Sequence, residues 1–82
     1  MNRIEHLWGI LMEESGEVTQ AASKCNRFTP EHAYYETSNL ERLKVELDDQ
    51  YTLLTMIGNE IGTTFEPRYE PAKAERVERL LE

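Results

Sequence analysis

Cysteine is nearly absent from this 82-residue chain, with Cys25 as its only example. A single cysteine cannot form an intrachain disulfide, and it excludes both a cysteine-rich zinc finger and a CxxC redox site. Long apolar runs are also missing. The longest, residues 7–12, is far too short to span a bilayer, and residues 1–6 lack the apolar segment of a signal peptide. We therefore expect a cytoplasmic protein without a membrane partner.

Basic residues are scarce, at nine against sixteen acidic ones, which gives a net charge of -7. This balance argues against nucleic-acid polymers as partners, because their binding rests mainly on basic surface. Hydrophobic residues make up 39% of the chain and charged residues 30%, which is ordinary for a folded protein. We expect one domain over residues 1–82, too small to bury a large core without a partner subunit.

The spacing of apolar residues predicts an all-α fold, an antiparallel helical hairpin followed by a short C-terminal helix. The first helix is predicted over residues 4–25. The second is predicted over 38–61, where Ser38 and Glu41 have the spacing of a capping box. The third covers 72–82, and Thr29-Pro30 suggests one short helical turn in the connector. The stripe predicted to face the core on the second helix consists of Leu40, Leu43, Leu47, Tyr51, Leu54, Ile57 and Ile61.

Acidic residues occur as pairs on both long helices. Glu14 and Glu17 are three residues apart, which places them on one face of the first helix, and Glu46 and Asp49 have the same offset on the second. Antiparallel packing would set the two pairs opposite each other near the middle of the hairpin. Four carboxylates would form an oxygen-only site of the kind that hard cations prefer.

The positions of two of these carboxylates indicate a functional site rather than an ordinary acidic surface. Positions 4, 7, 11, 14, 18, 21 and 25 are all apolar except Glu14, and Asp49 shares a face with Val45, Leu53 and Met56. A buried charge is costly unless it is paired or binds a metal, and no lysine or arginine lies among these apolar neighbours. We therefore expect Glu14 and Asp49 to point inward as metal ligands.

A di-iron carboxylate bundle is the chemical competitor, since it also uses inward glutamates on facing helices. Such a bundle needs Glu-x-x-His pairs. Arg3 precedes His6 by three residues and Thr29 precedes His32, so neither histidine completes the motif. We expect structural or surface roles for both histidines.

EExxE at residues 13–17, followed by ExxD at 46–49, resembles the MazG-like all-α nucleoside triphosphate pyrophosphohydrolase superfamily, in particular its short phage-type members. Ser23-Lys24, Arg27-Phe28 and Asn39 extend the similarity, which covers about residues 7–57. It implies hydrolysis of an NTP or dNTP to the monophosphate and pyrophosphate, in the host cytoplasm for a phage protein. It also implies a homodimer or homotetramer with a four-helix-bundle-like core.

The resemblance implies residue roles as well. The metal ligands would be Glu14, Glu17, Glu46 and Asp49, holding Mg²⁺ with Mn²⁺ as a substitute. Glu13 would support the site or help activate water. From their positions beside the acidic motifs, substrate phosphates would be bound by Lys24, Arg27 and Arg42, for which surface ion pairing is an equal alternative. Thr29 and Asp48 depart from the glycine and asparagine frequent in the family.

Two other readings stay open. The chain could be a catalytically silent helical interaction or nucleotide-sensing protein on the same scaffold, or a structural acidic bundle that binds no metal. The aromatic residues do not decide among these readings, because in a small bundle they more often fill the core than stack on a base. They are Trp8, Phe28, Tyr34 and Tyr35.

Overall fold

The computed structural model describes residues 2–34 and 36–82, apart from the side chain of Tyr34; Tyr35 therefore lies outside it. Three helices dominate, and they confirm the predicted all-α hairpin with its C-terminal helix. The elements in chain order are α1 (Arg3–Arg27), β1 (Ala33–Tyr34), β2 (Thr37–Ser38), α2 (Asn39–Ile61) and α3 (Pro71–Leu81).

Side-chain and glycine caps fix the ends of the long helices. The Asn2 side chain accepts a hydrogen bond from the Glu5 amide at the start of α1, and Ser38 does the same for Glu41 at the start of α2. Gly62, with φ 76°, ends α2 in the left-handed conformation that favours glycine. At Gly58 an added Cβ would lie 2.6 Å from the Thr63 carbonyl oxygen, so glycine is required for this turn.

Three polar contacts establish that α1 and α2 run antiparallel. Arg3 at the start of α1 forms an ion pair with Glu60 near the end of α2, at 3.0 Å. Gln50 donates to the Ser15 hydroxyl at 3.1 Å midway along the helices. At the other end, the side-chain amide of Asn39 donates to the Lys24 carbonyl oxygen at 3.4 Å. This register places Glu14 opposite the second acidic motif.

The α1–α2 connector differs from its prediction. Thr29-Pro30 does not start a helix; instead the His32 amide donates to both the carbonyl and the hydroxyl of Thr29, which closes a single turn. β1 and β2 then pair as a two-residue antiparallel ladder. Thr29 has φ 145°, a backbone conformation that residues with a side chain rarely adopt. The buried Asn39 side chain fastens this turn by donating to the Thr29 carbonyl oxygen at 3.0 Å.

The packing face of α1 is the one its sequence predicts. All seven positions of the predicted stripe are buried or half-buried, with Leu7 and Ala21 the most enclosed. Glu14 lies half-buried in the middle of this stripe. The inward placement of one carboxylate on α1 is thus confirmed.

The packing face of α2 is rotated from the predicted stripe by about 60°, at 100° per residue. Its buried or half-buried side chains include polar ones and are those of Asn39, Leu43, Glu46, Gln50, Leu53, Leu54 and Ile57. Much of the predicted stripe is instead exposed, at Leu40, Leu47, Tyr51 and Ile61. Below we call these four residues the outer stripe.

The chain leaves an unusual amount of its surface accessible to solvent. Its accessible area is 6704 Å², against about 5,100 Å² expected for a monomer of this mass. Its radius of gyration is 15.5 Å, against about 12 Å for a compact domain of this length. α3 has no buried residue. Among the described residues, no helix has the length and apolarity needed to cross a membrane.

Candidate metal centre

Glu14 is the most unusual polar side chain in the described structure. Its Oε2 atom is fully enclosed and has no hydrogen-bond partner. An enclosed carboxylate oxygen without a donor is costly, because it has lost its water and gained nothing in return. No basic side chain among the described residues forms an ion pair with Glu14. The orphaned oxygen therefore needs a cation or a proton.

Two carboxylates of α2 meet Glu14 at this point. Glu14, Glu46 and Asp49 each offer an oxygen, and these atoms lie within 4.8 Å of one another. Glu46 is 8% exposed, whereas Asp49 is exposed. The expectation that Asp49 lies on the apolar packing side is therefore wrong: its neighbour Val45 is 51% exposed, and Glu46 is the inward member of the pair. Asp49 reaches the cluster from its solvent edge.

The other acidic residues of the motifs lie around this group. Glu17 is exposed and outside the three-carboxylate group, but it lines a crevice with Glu46 beside it. Glu13 is exposed and close enough for its charge to act on Glu14. The structure thus brings together three of the four predicted ligands directly and sets Glu17 next to them along the same groove.

Ser15 and Gln50 support the cluster, and sequence reasoning missed them. The hydrogen bond between them joins the two helices one residue away from Glu14 and from Asp49. Gln50 is half-buried on the same face as Glu46. A signal was present, since Gln50 follows Glu46 by four residues, but a search for apolar periodicity passes over a polar residue at an interface.

The three carboxylates offer the oxygen ligands that hard cations such as magnesium prefer. Magnesium binds oxygen ligands at about 2.1 Å in octahedral geometry, so two ligands of one ion lie at most about 4.2 Å apart. The oxygens lie within 4.8 Å of one another, so their largest separation can exceed this limit by about 0.6 Å. An ion here would also satisfy the orphaned Oε2 atom of Glu14. Three protein ligands would leave coordination positions of such an ion free for other oxygen ligands.

The electrostatics of the cluster act most strongly on Glu14. Burial raises the pKa of Glu14, and the charges of Asp49, Glu46, Glu17 and Glu13 raise it further. All these causes disfavour the ionised form, as expected for carboxylates held together without a cation. The metal-free fold is therefore strained electrostatically at this point.

A pH dependence of stability follows for the metal-free protein. Because the pKa of Glu14 is raised in the folded state, its proton stabilises the fold at acidic pH, and this contribution is lost as pH rises from about 4.3 through the folded-state pKa. Glu14→Gln mimics the protonated form at every pH. We expect the Tm advantage of Glu14→Gln over wild type in EDTA to grow as pH rises from 4 to 7. A constant or shrinking advantage in thermal scans would contradict this.

Two basic side chains lie beside the carboxylates, on the side nearer the α1–α2 connector. Lys24 and Arg42 line the crevice that contains Glu17 and Glu46. The same two residues line a larger cleft of about 430 Å³, together with Phe28, His32, Thr37, Ser38 and Asn39. Arg27 lines neither space; its guanidinium lies 5.3 Å from the centre of the Phe28 ring. The structure thus places two of the three predicted phosphate-binding residues beside the acidic site.

In comparisons with known proteins, no family model matches this chain, and no curated protein or solved structure is significantly similar to it.

Proposed function

We propose that this protein is a magnesium-dependent nucleotide pyrophosphohydrolase, which cleaves an NTP or dNTP into a nucleoside monophosphate and pyrophosphate. One observation supports a bound metal: Glu14 Oε2 is enclosed without a hydrogen-bond partner, and Glu14, Glu46 and Asp49 offer oxygens within 4.8 Å of one another. The hydrolytic step and the nucleotide substrate rest on the resemblance of EExxE and ExxD to the MazG-like superfamily. The crevice lined by acidic and basic side chains supports the hydrolytic step and the nucleotide substrate alike.

The residue roles in this proposal combine this geometry with the roles that the resemblance implies. Glu14, Glu46 and Asp49 hold the cation, with Glu17 beside them at the groove and Mn²⁺ as a possible substitute for Mg²⁺. A bound magnesium offsets charge on phosphate oxygens and orients water. Glu13, exposed beside the cluster, accepts the proton of the attacking water. Water adds across the α–β phosphoanhydride, so the two products together contain the atoms of triphosphate and water.

Lys24 and Arg42 bind phosphate oxygens in this proposal. Both line the crevice next to Glu46, and neither forms an ion pair with an acidic residue within the described part of the chain. Unpaired cations beside an acidic site are suited to a ligand that carries negative charge, which is what a metal-bound triphosphate supplies. Because the protein's net charge of -7 repels anions, these local cations are needed to attract a negatively charged ligand.

Self-association, as a homodimer or homotetramer, completes the proposal. The area of 6704 Å² exceeds the monomer expectation by about 1,600 Å², an amount comparable to a protein interface. The outer stripe gives α2 a second apolar face at heptad-like spacing. A second hairpin packed on that face would form a four-helix bundle. The same face also favours the alternative function, a catalytically silent interaction protein.

A substrate panel distinguishes the enzyme from its alternatives. We expect pyrophosphate release from at least one of the common NTPs and dNTPs with millimolar Mg²⁺, and none in EDTA. Mg²⁺ should also raise the Tm, because an ion that binds only the folded state stabilises it. A raised Tm without pyrophosphate release from any substrate would favour the nucleotide-sensing or interaction protein. An unchanged Tm would favour a structural acidic bundle.

A further inference from the structure

A cleft opens where α1, the connector and α2 meet. It has a volume of about 430 Å³, which lies within the range typical of small-molecule sites. Phe28 and His32 stack on one another at 5.8 Å between ring centres and form an aromatic wall. Phe28 is 54% exposed although it is a large apolar residue. Thr37 and Ser38 line the same cleft.

The cleft and the crevice that contains Glu17 and Glu46 share Lys24 and Arg42 as lining residues. Moving away from the proposed metal ligands, the lining residues are therefore carboxylates first, then Lys24 and Arg42, and then the aromatic residues of the cleft. A nucleotide has the same order, with metal-bound phosphates at one end and a flat, partly apolar base at the other. The path gives a nucleotide one direction in which its groups meet matching side chains.

The start of α2, which also borders the cleft, is not a competing phosphate site. Free amides at a helix N-terminus attract phosphate, but here the first amides already donate within the protein. Asn39 donates to the His32 carbonyl, Leu40 donates to the Pro30 carbonyl, and Glu41 donates to the Ser38 hydroxyl. Phosphate affinity therefore rests on Lys24 and Arg42, and the far end of the cleft is left for an uncharged group.

From this arrangement we infer that the cleft holds the nucleoside of the substrate, with its base against the Phe28–His32 wall and the adjoining α-phosphate between Lys24 and Arg42. This inference rests on the proposed nucleotide pyrophosphohydrolase function and adds the residues that recognise the nucleoside. Phe28 and His32 determine affinity for the base. Lys24 and Arg42 act on phosphate whatever the base is.

Binding of a product, rather than catalysis, tests the inference. We would titrate the protein in Mg²⁺ with the common nucleoside monophosphates and with ribose 5-phosphate, which lacks a base, and follow amide shifts by NMR. At least one monophosphate should bind about tenfold or more tightly than ribose 5-phosphate and shift residues of the cleft, because a base–aromatic contact contributes about that much. Equal affinities, or shifts outside the cleft, would overturn the inference.

Two variants separate base from phosphate recognition. Phe28→Ala should weaken binding of the monophosphate about tenfold and leave ribose 5-phosphate unchanged, whereas Arg42→Gln should weaken both ligands. Phe65→Ala, which removes a similar aromatic side chain outside the cleft, is the matched control and should change neither. Thermal melting checks that each variant folds, and Phe28→Leu provides a second, less disruptive test. Equal effects of Phe28→Ala on both ligands would overturn the inference.

The binding test and the substrate panel fail independently. If no triphosphate is cleaved but the monophosphate binds in the cleft with the expected variant pattern, the proposed hydrolysis is wrong and the nucleoside site stands. If a triphosphate is cleaved but Phe28→Ala changes neither monophosphate affinity nor KM, the nucleoside site is wrong and hydrolysis stands. If the site is as proposed, Phe28→Ala should raise KM more than it lowers kcat, because the lost base contact is present in both ground and transition states.

Discussion

Glu46→Gln and Asp49→Asn are each expected to lower the rate of pyrophosphate release at least about 100-fold, because loss even of a supporting residue around a metal costs 10–100-fold. Each change keeps the side-chain size and removes one anionic ligand from the group that includes Glu14. The Mg²⁺ concentration needed for half-maximal activity should rise as well. Steady-state assays across a range of Mg²⁺ concentrations measure both effects.

Asp48→Asn is a closely matched control for these substitutions. Asp48 is exposed, lies next to Asp49 in sequence and is not a member of the carboxylate group. The substitution removes the same charge and introduces the asparagine that is frequent in the resembled family, so activity should stay close to wild type. If Asp48→Asn lowered activity as much as Asp49→Asn, the effect would come from the net charge of the surface rather than from ligation.

Ile57→Ala is expected to destabilise the fold by about 2–5 kcal/mol, the usual range for emptying a fully buried aliphatic site. Ile57 is 0% exposed, and the only other buried hydrophobic residues in the described chain are Leu7 and Ala21. A chain of this length has a total stability of about 4–12 kcal/mol. One truncation therefore removes a large share of it, and urea titration with a shared m-value measures the loss.

Leu80→Ala serves as the exposed counterpart of this truncation. Leu80 is 84% exposed on α3, so its removal should change stability by no more than about 0.5 kcal/mol. Both variants should be compared at several protein concentrations, because association of folded chains adds concentration-dependent stability. A loss below 1 kcal/mol for Ile57→Ala would show that Ile57 is not part of the stabilising core.

The sequence by itself determined the helices, the phase of α1 and the place of the acidic site along the chain. Apolar residues fill six of the seven packing positions of α1, so Glu14 is visible as the one exception, and the structure half-buries it there. The capping box of Ser38 and Glu41 has a local physical cause and marks the start of α2. Such features depend on residues close in sequence, which is why a one-dimensional pattern predicts them.

Only the tertiary structure decided which face of α2 meets α1. The packing face includes the polar residues Asn39, Glu46 and Gln50, whereas the outer stripe is apolar and exposed in the single chain. Periodicity selects the more apolar stripe, because it cannot distinguish a face that packs within the chain from one left open. That choice of face made Glu46 rather than Asp49 the buried partner of Glu14. It also brought Lys24 and Arg42 between the carboxylates and the cleft, a proximity that depends on helix packing and connector geometry rather than on local sequence.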